Sequence, residues 1–248
     1  TTLSIEYIGH KDMVRTISCD TRGQYLVSGS DDCTVKIWEV NTGRCLRTIE
    51  FDSVIHKVSW CPNPALSLIG VASGQTIHLI NPLVGDNLVV KKTDSVLSEP
   101  PAQDVIVPER ISSTVRWEQA VEENWHRKGI RISLHHFKPV TQINWHGRGD
   151  YFATVMPDGL NRSVLINQLS RRRSQLPFNK SKGLVQCVMF HPIRPFLFVA
   201  TQRHVRIYDL VKQELLKKLM SNSKWISSIA IHPGGDNILV GTYDRKML

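Results

Sequence analysis

The chain has 248 residues, with 31 Lys plus Arg against 22 Asp plus Glu, a formal charge of +9, 41% apolar and 21% charged residues. This globular mix excludes a wholly disordered chain and supplies core for one large domain or two small ones. No window approaches 18 uninterrupted apolar residues, and the start, Thr1-Thr-Leu-Ser-Ile-Glu6, has no basic region ahead of an apolar run, so neither a membrane span nor a secretory signal is expected. The start also lacks Met, which predicts a piece cut from a longer chain.

The charge is uneven. Residues 1–123 carry 11 basic and 16 acidic side chains, residues 124–182 carry 11 and 2, and residues 183–248 carry 9 and 4. A local positive field of that size draws polyanions or an acidic protein face, or is a solvated surface. The five cysteines, at 19, 33, 45, 61 and 187, form no CxxC pair. A disulfide framework or zinc site therefore has no support, and a reducing compartment is expected.

In chain order, residues 14–19, 55–60, 140–145, 185–190 and 226–231 repeat one pattern, apolar at positions one, four and six. Four of them run into a turn: Cys61-Pro62, His146-Gly147, His191-Pro192 and His232-Pro233. The starts lie 41, 85, 45 and 41 residues apart, the period of a propeller blade. A second strand is predicted at 25–30, 67–73, 151–156, 196–201 and 237–242, and a third at 34–38, 76–80, 163–167 and 204–208. A more polar fourth strand fits 45–50 and 214–220, as an outer edge facing solvent should.

Gly9-His10, followed by Ser28-Gly-Ser-Asp-Asp32-Cys-Thr-Val-Lys-Ile-Trp38, resembles a WD repeat. The resemblance implies a buried structural tetrad of Trp38, Ser28 or Ser30, His10 and Asp32. In it the Asp accepts from the His, the His bonds a hydroxyl, and the hydroxyl meets the indole N–H, so each buried polar group is satisfied. The blade explains the spacing, and a catalytic His–Ser–Asp reading has no further support. The other blades are degenerate, with Tyr208-Asp209 and Ile80-Asn81 where Trp-Asp would stand.

The 85-residue interval reads as one blade plus an insertion at 91–131, within or after the second blade and partly disordered. Residues 91–111, with Pro100-Pro101 and Pro108, read as a mobile linker. Residues 112–127 read as a short helix that puts Trp117, Val121 and Trp125 on one face, either packed on the propeller side or binding a partner. Residues 3–8 look like a fourth strand without a blade of its own, and the chain stops at Leu248 where a third strand of blade five is expected. The expected fold class is thus an all-β WD-repeat β-propeller with about four complete blades and a partial fifth, a fragment of a larger propeller.

Further strings narrow the family: Pro139-Val-Thr-Gln-Ile-Asn-Trp-His-Gly-Arg-Gly-Asp-Tyr151, Gln168-Leu-Ser-Arg-Arg-Arg-Ser-Gln175, His191-Pro-Ile-Arg-Pro-Phe-Leu-Phe-Val-Ala200, Gln213-Glu-Leu-Leu-Lys-Lys-Leu219 and Lys224-Trp-Ile-Ser-Ser-Ile-Ala-Ile-His-Pro-Gly-Gly-Asp236. Outside 91–131 they resemble the carboxy-terminal propeller of the block-of-proliferation family of eukaryotic ribosome-biogenesis proteins. That resemblance implies a seven-bladed propeller and a scaffold in large-subunit assembly and ribosomal RNA maturation. It also implies a nuclear address, in nucleolus and nucleoplasm, and partners: a pescadillo-type protein, a second WD-repeat protein, the pre-60S particle and ribosomal RNA. The family's long amino-terminal region, which contacts the pescadillo-type partner, is absent from this sequence.

No nucleotide loop, HExxH, GxSxG or kinase signature occurs, so no enzyme activity, small-molecule substrate or cofactor is expected. His135-His136 with His146 could suggest a metal, but adjacent strand residues point to opposite faces, so none is expected. The RNA-binding candidates are Arg171, Arg172 and Arg173 with Lys180 and Lys182, expected on an exposed loop between blades, where Ser174 could be phosphorylated. The alternative function is a protein-only WD adaptor, a ubiquitin-ligase substrate receptor or a chromatin-associated scaffold.

Overall fold

The computed structural model describes residues 2–99, 106–180, 182–222 and 225–248. It divides into two compact units, Thr1–Ile143 and Asn144–Leu248. In the first unit, β1 (Val14–Cys19), β2 (Tyr25–Ser30), β3 (Thr34–Glu39) and β4 (Cys45–Glu50) form one blade in that order. The second blade holds β5 (Ile55–Trp60), β6 (Ile69–Ser73) and β7 (Thr76–Ile80). The chain then passes through α1 (Asn87–Ser98), α2 (Glu109–Ser112), β8 (Val115–Gln119) and α3 (Glu123–Lys128) to β9 (Ile130–His136). This sheet has the order β5-β6-β7-β9-β8.

The second unit begins within β10 (Gln142–Trp145). A sheet of order β10-β11-β12-β13 adds β11 (Tyr151–Val155), β12 (Val164–Gln168) and β13 (Arg173–Gln175). The fourth blade is β14 (Cys187–Phe190), β15 (Phe196–Ala200), β16 (His204–Asp209) and β17 (Glu214–Met220). A two-stranded sheet of β18 (Ile226–Ile231) and β19 (Ile238–Thr242) follows, and Leu248 and Val240 exchange backbone bonds of 2.9 and 3.0 Å. The all-β architecture is that of WD-repeat propeller blades, four of four or more strands and a partial fifth.

The repeated pattern has a packing cause. In the first unit Ile55, Val58 and Trp60 of β5 are buried with Val27, Val35 and Ile37 of the preceding blade. In the second, Val185, Val188 and Phe190 are buried with Ala153, Val155, Val164 and Ile166. Positions one, four and six are therefore the residues that a blade presents to its neighbour. Polar position five serves the same seam: Ser18 Oγ accepts from the Trp60 N–H at 2.9 Å, and Asn144 Oδ1 accepts from the Phe190 N–H at 3.0 Å. Both N–H groups face away from their own ladder and need such a partner when buried.

The turn histidines are also caps. His191 Nδ1 accepts from the N–H groups of Ile193 and Arg194 at 3.0 and 2.9 Å, His232 Nδ1 from Gly234 at 3.1 Å, and His146 Nδ1 from Arg148 at 3.3 Å.

Residues 81–99 and 106–129 depart from the expected linker and helix. The helix α1 begins at Asp86, whose carboxylate accepts from the Leu88 N–H at 2.8 Å. It buries Thr93 and Leu97 on blade two, and Thr93 Oγ1 accepts from the Ser67 N–H at 2.9 Å. Thus 91–98 belongs to a packed helix, not to a mobile linker. Pro100-Pro101 lies outside the described residues, as do Ser181 and Lys224.

Trp117, Val121 and Trp125 do not share a helix. Val115 and Trp117 alternate with exposed Arg116 and Glu118, a period of two, and β8 pairs with β9. Val121 is 85% exposed in the connection, and only Trp125 lies on a helix, α3. That helix ends at Gly129, with φ 88°, where a Cβ would stand 2.2 Å from the Asn81 carbonyl oxygen, so the close return to the blade requires glycine. The third and fourth strands of blade two thus flank the inserted segment.

Residues 3–8 form no strand either. They are held by side chains: the Tyr7 hydroxyl donates to the Val40 carbonyl at 2.9 Å, and its ring meets Trp38 edge-on at 5.8 Å.

Candidate functional site

Blade one brings His10, Ser28, Asp32 and Trp38 together. The Trp38 indole N–H donates to Ser28 Oγ at 2.8 Å, His10 Nε2 lies 2.7 Å from the same oxygen, and His10 Nδ1 lies 3.0 Å from Asp32 Oδ2. Trp38 is buried because β2 and β3 place it between the sheet and Tyr7. Asp32 also accepts from the Lys11 N–H at 2.9 Å and from the Thr34 hydroxyl at 2.6 Å. Burial pushes its carboxyl up. The bonds from Thr34, Lys11 and His10 outweigh that and hold it far below the usual carboxylate range. Ser30 is not the tetrad hydroxyl: it donates to the Asp12 carbonyl at 3.1 Å. Every strong acceptor is occupied by a donor of the same blade, so the network braces the β2–β3 turn. It leaves no nucleophile facing solvent.

The five basic candidates do not form one exposed inter-blade loop. Arg173 begins β13, the outer strand of blade three, and pairs with Gln168. Arg172 has φ 51° and is half-buried, with its guanidinium donating to the Leu169 carbonyl. Arg171 and Arg173 point to solvent. Ser174 Oγ donates to Asn167 Oδ1 at 2.6 Å, so its hydroxyl is already engaged. A short outer strand was hidden in the sequence because three arginines read as loop.

Lys180 and Lys182 are exposed beyond the other end of β13. Their segment runs along β16. Phe178 stacks on Tyr208 at 4.6 Å, Arg206 donates to the Lys182 carbonyl, and Gly183 lies against Thr201. The structure therefore groups Lys180 and Lys182 with blade four, whose cations Arg203, Arg206 and Lys218 were not among the sequence candidates. A signal existed: residues 159–208 hold nine Arg or Lys and no Asp or Glu.

In the inserted segment, Trp125 packs on the blade core and its ring lies 5.6 Å from His78, while Trp117 is half-buried on β8. Of the three partner-binding candidates only Val121 is well exposed. The segment is fastened by charge. Arg131 is buried and bonds Asp94 at 2.8 Å, and Asn81 Nδ2 donates to the same carboxylate oxygen at 2.9 Å. Arg47 donates to the carbonyls of Pro82 and Arg127 at 3.2 and 2.9 Å. His135 Nε2 lies 2.5 Å from Glu118 Oε2, and His136 is buried with Nδ1 donating to the Leu134 carbonyl at 3.0 Å. The two histidines face opposite sides of β9. Among the described residues no helix is long and apolar enough to cross a membrane.

Residues 1–39 and 213–248 match the family model of the WD domain, G-beta repeat. The chain is 63% identical over 245 residues to the proteins named ribosome biogenesis protein BOP1 homolog of Drosophila erecta, Drosophila yakuba and Drosophila melanogaster. Each alignment covers 99% of this chain and 31% of the relative, so the chain spans less than a third of the length of those relatives. With its blades, its tetrad and this identity along nearly all its residues, the chain belongs to the block-of-proliferation family of WD-repeat proteins.

Proposed function

We propose that the chain acts as a non-catalytic scaffold in ribosome biogenesis, in large-subunit assembly and ribosomal RNA maturation. One observation carries this reading: 63% identity over 99% of the chain to proteins named for ribosome biogenesis. The scaffold binds a second WD-repeat protein and pre-ribosomal RNA within the pre-60S particle, in the nucleolus and nucleoplasm, in an assembly that also holds a pescadillo-type protein. The charge of the second unit supports the RNA part, since a field of one sign concentrates phosphates.

The test is depletion of the protein followed by complementation with a tagged copy. The tagged protein is expected to co-sediment with pre-60S particles, and depletion to accumulate large-subunit RNA precursors. Sedimentation apart from those particles with unchanged RNA processing would overturn the proposal and favour the protein-only adaptor.

A further inference from the structure

Blade four carries three cations that neither the repeat nor the tetrad accounts for. On the β16–β17 ladder, Arg206 is the direct partner of Lys218, and His204 of Met220. Direct partners in an antiparallel ladder point to one face with Cβ atoms about 5 Å apart, where like charges repel. Residues two apart on a strand share that face, so His204, Arg206 and Lys218 lie together. Arg203 stands at the start of β16, exposed, and its charge acts on His204 together with those of Lys218 and Arg206.

Among the described residues no carboxylate pairs with Arg203, Arg206 or Lys218. Arg206 is only 8% exposed, and it donates to a neutral carbonyl, that of Lys182. The Lys182 backbone borders this face through that carbonyl, and Lys180 and Lys182 are exposed. His204 Nε2 is buried and has no hydrogen-bond partner among the described residues. Burial first, then the charges of Lys218, Arg206 and Arg203, hold this imidazole below its ordinary pKa. Exposed cations without a carboxylate partner, backed by a buried guanidinium, are an arrangement that an anion completes. A phosphate oxygen accepts from the exposed Arg203 guanidinium and Lys218 ammonium alike.

We infer that the face formed by Arg203, His204, Arg206 and Lys218, bordered by Lys180 and Lys182, is a phosphate-binding site for the backbone of RNA. The inference rests on the RNA-binding part of the proposed function and gives it a location. RNA is favoured over a phosphorylated peptide by extent. One phosphorylated side chain needs one cluster, whereas nine cations without an acid along 159–208 suit a repeating phosphate chain.

The test is anisotropy of a labelled oligouridylate bound to the full chain over a range of salt. The double variant Arg203→Gln/Lys218→Gln removes two charges from exposed positions and keeps a polar side chain at each. It should bind about tenfold more weakly, and the slope of log affinity against log salt should flatten by roughly 1.4, about 0.7 for each single-strand phosphate that is no longer neutralised. Its melting temperature should match wild type. In parallel, wild-type protein is photo-crosslinked to a thiouridine-substituted oligouridylate, with crosslinks expected within residues 176–220.

An unchanged slope, or crosslinks confined to residues 1–143, would overturn the site while leaving RNA binding standing. Wild-type protein that binds no oligouridylate would overturn both. A phosphoserine peptide that binds at this face in place of the oligouridylate would overturn the RNA assignment. Should the double variant fail to fold, the wild-type crosslink map decides.

Discussion

The two units share one blade plan and use charge in opposite ways. Unit one holds 15 basic and 16 acidic residues, and unit two 16 basic and 6 acidic. In unit one the cations are building material. Arg15 bonds Asp31 at 2.6 Å, Arg131 bonds Asp94, Arg47 holds two carbonyls of the inserted segment, and Lys128 reaches the Glu50 carbonyl at 3.0 Å. In unit two the described ion pairs of Lys or Arg with carboxylates are Lys212–Glu214 and Lys246–Asp244, both at its exposed margins. Most of its remaining cations are exposed, while Arg172 and Arg206 are held by backbone carbonyls. A fold made of repeats can thus keep its core pattern while one part spends polar groups on internal fastening and another leaves most of its cations on the surface.

The largest expected break in this comparison is by pH. His78 and His136 of unit one are buried, and burial lowers them to about 3 and about 4. Both are neutral in the folded chain, whereas the unfolded chain takes up protons below its ordinary histidine pKa of about 6.5. Stability from these groups is therefore full above that value. It falls as the pH drops, until the folded values are reached. At pH 5 each costs about 2 kcal/mol. Relative to the intrinsic exchange rate at each pH, protection at β7 and β9 should fall between pH 7.5 and 5 far more than protection at β15, and His78→Gln should shrink the difference. An equal fall in both units would refute the assignment.

Next in size is the ion pair that fastens the inserted segment. Asp94→Ala leaves the Arg131 guanidinium buried without its carboxylate. The expected loss is about 3 kcal/mol, the lower end for a broken buried pair because Asp94 is about a third exposed. Urea unfolding measures it. A loss below about 1 kcal/mol, the range of a surface pair, would show that the pair is not structural.

The tetrad comes third. His10→Ala and Asp32→Ala should each cost roughly 1–3 kcal/mol by leaving buried partners unsatisfied. The two losses should not add, since Asp32 and Ser28 are bridged by the same imidazole. A double-mutant cycle with zero coupling would remove the network from the account of blade one.

How much of this was legible depends on which physical signal each element sends. The inner strands were readable, because the seam between blades demands apolar side chains at positions one, four and six wherever it occurs. The outer strands β4 and β17 were readable as polar edges. The outer strand of blade two was not: β9 is buried along nearly its whole length because β8 covers it, so Ile130-Arg-Ile-Ser-Leu-His-His136 lacks the look of an edge. The Trp117, Val121 and Trp125 spacing fits a helix face equally well as text. Pairing with β9 decides it, and a partner strand is not written in local periodicity. The tetrad residues were found through the WD pattern, but Ser28 could be chosen over Ser30 only once the strand placed its hydroxyl against Trp38. The basic face was half seen: a run of three arginines is conspicuous, whereas Arg203, Arg206 and Lys218 gather only through the register of β16 and β17.

The smallest expected effect sharpens that last point. Arg171, Arg172 and Arg173 are adjacent in sequence but play two roles. Arg171 and Arg173 are exposed and bear no part of the core, so Arg171→Gln/Arg173→Gln should leave the melting temperature unchanged. If they reach RNA, the salt slope flattens by about 0.7 for each single-strand phosphate they had neutralised. Arg172 differs, because its guanidinium closes the turn onto the Leu169 carbonyl from a left-handed backbone. Arg172→Gln should cost about 1 kcal/mol, the worth of one such bond, while the salt slope stays at its wild-type value. Thermal melts and salt titrations on wild type and both variants separate the roles. A stable Arg172→Gln protein with a flattened slope would reverse the assignment and return all three arginines to the ligand. The opposite pattern leaves Arg172 a turn residue in a unit most of whose other cations are exposed.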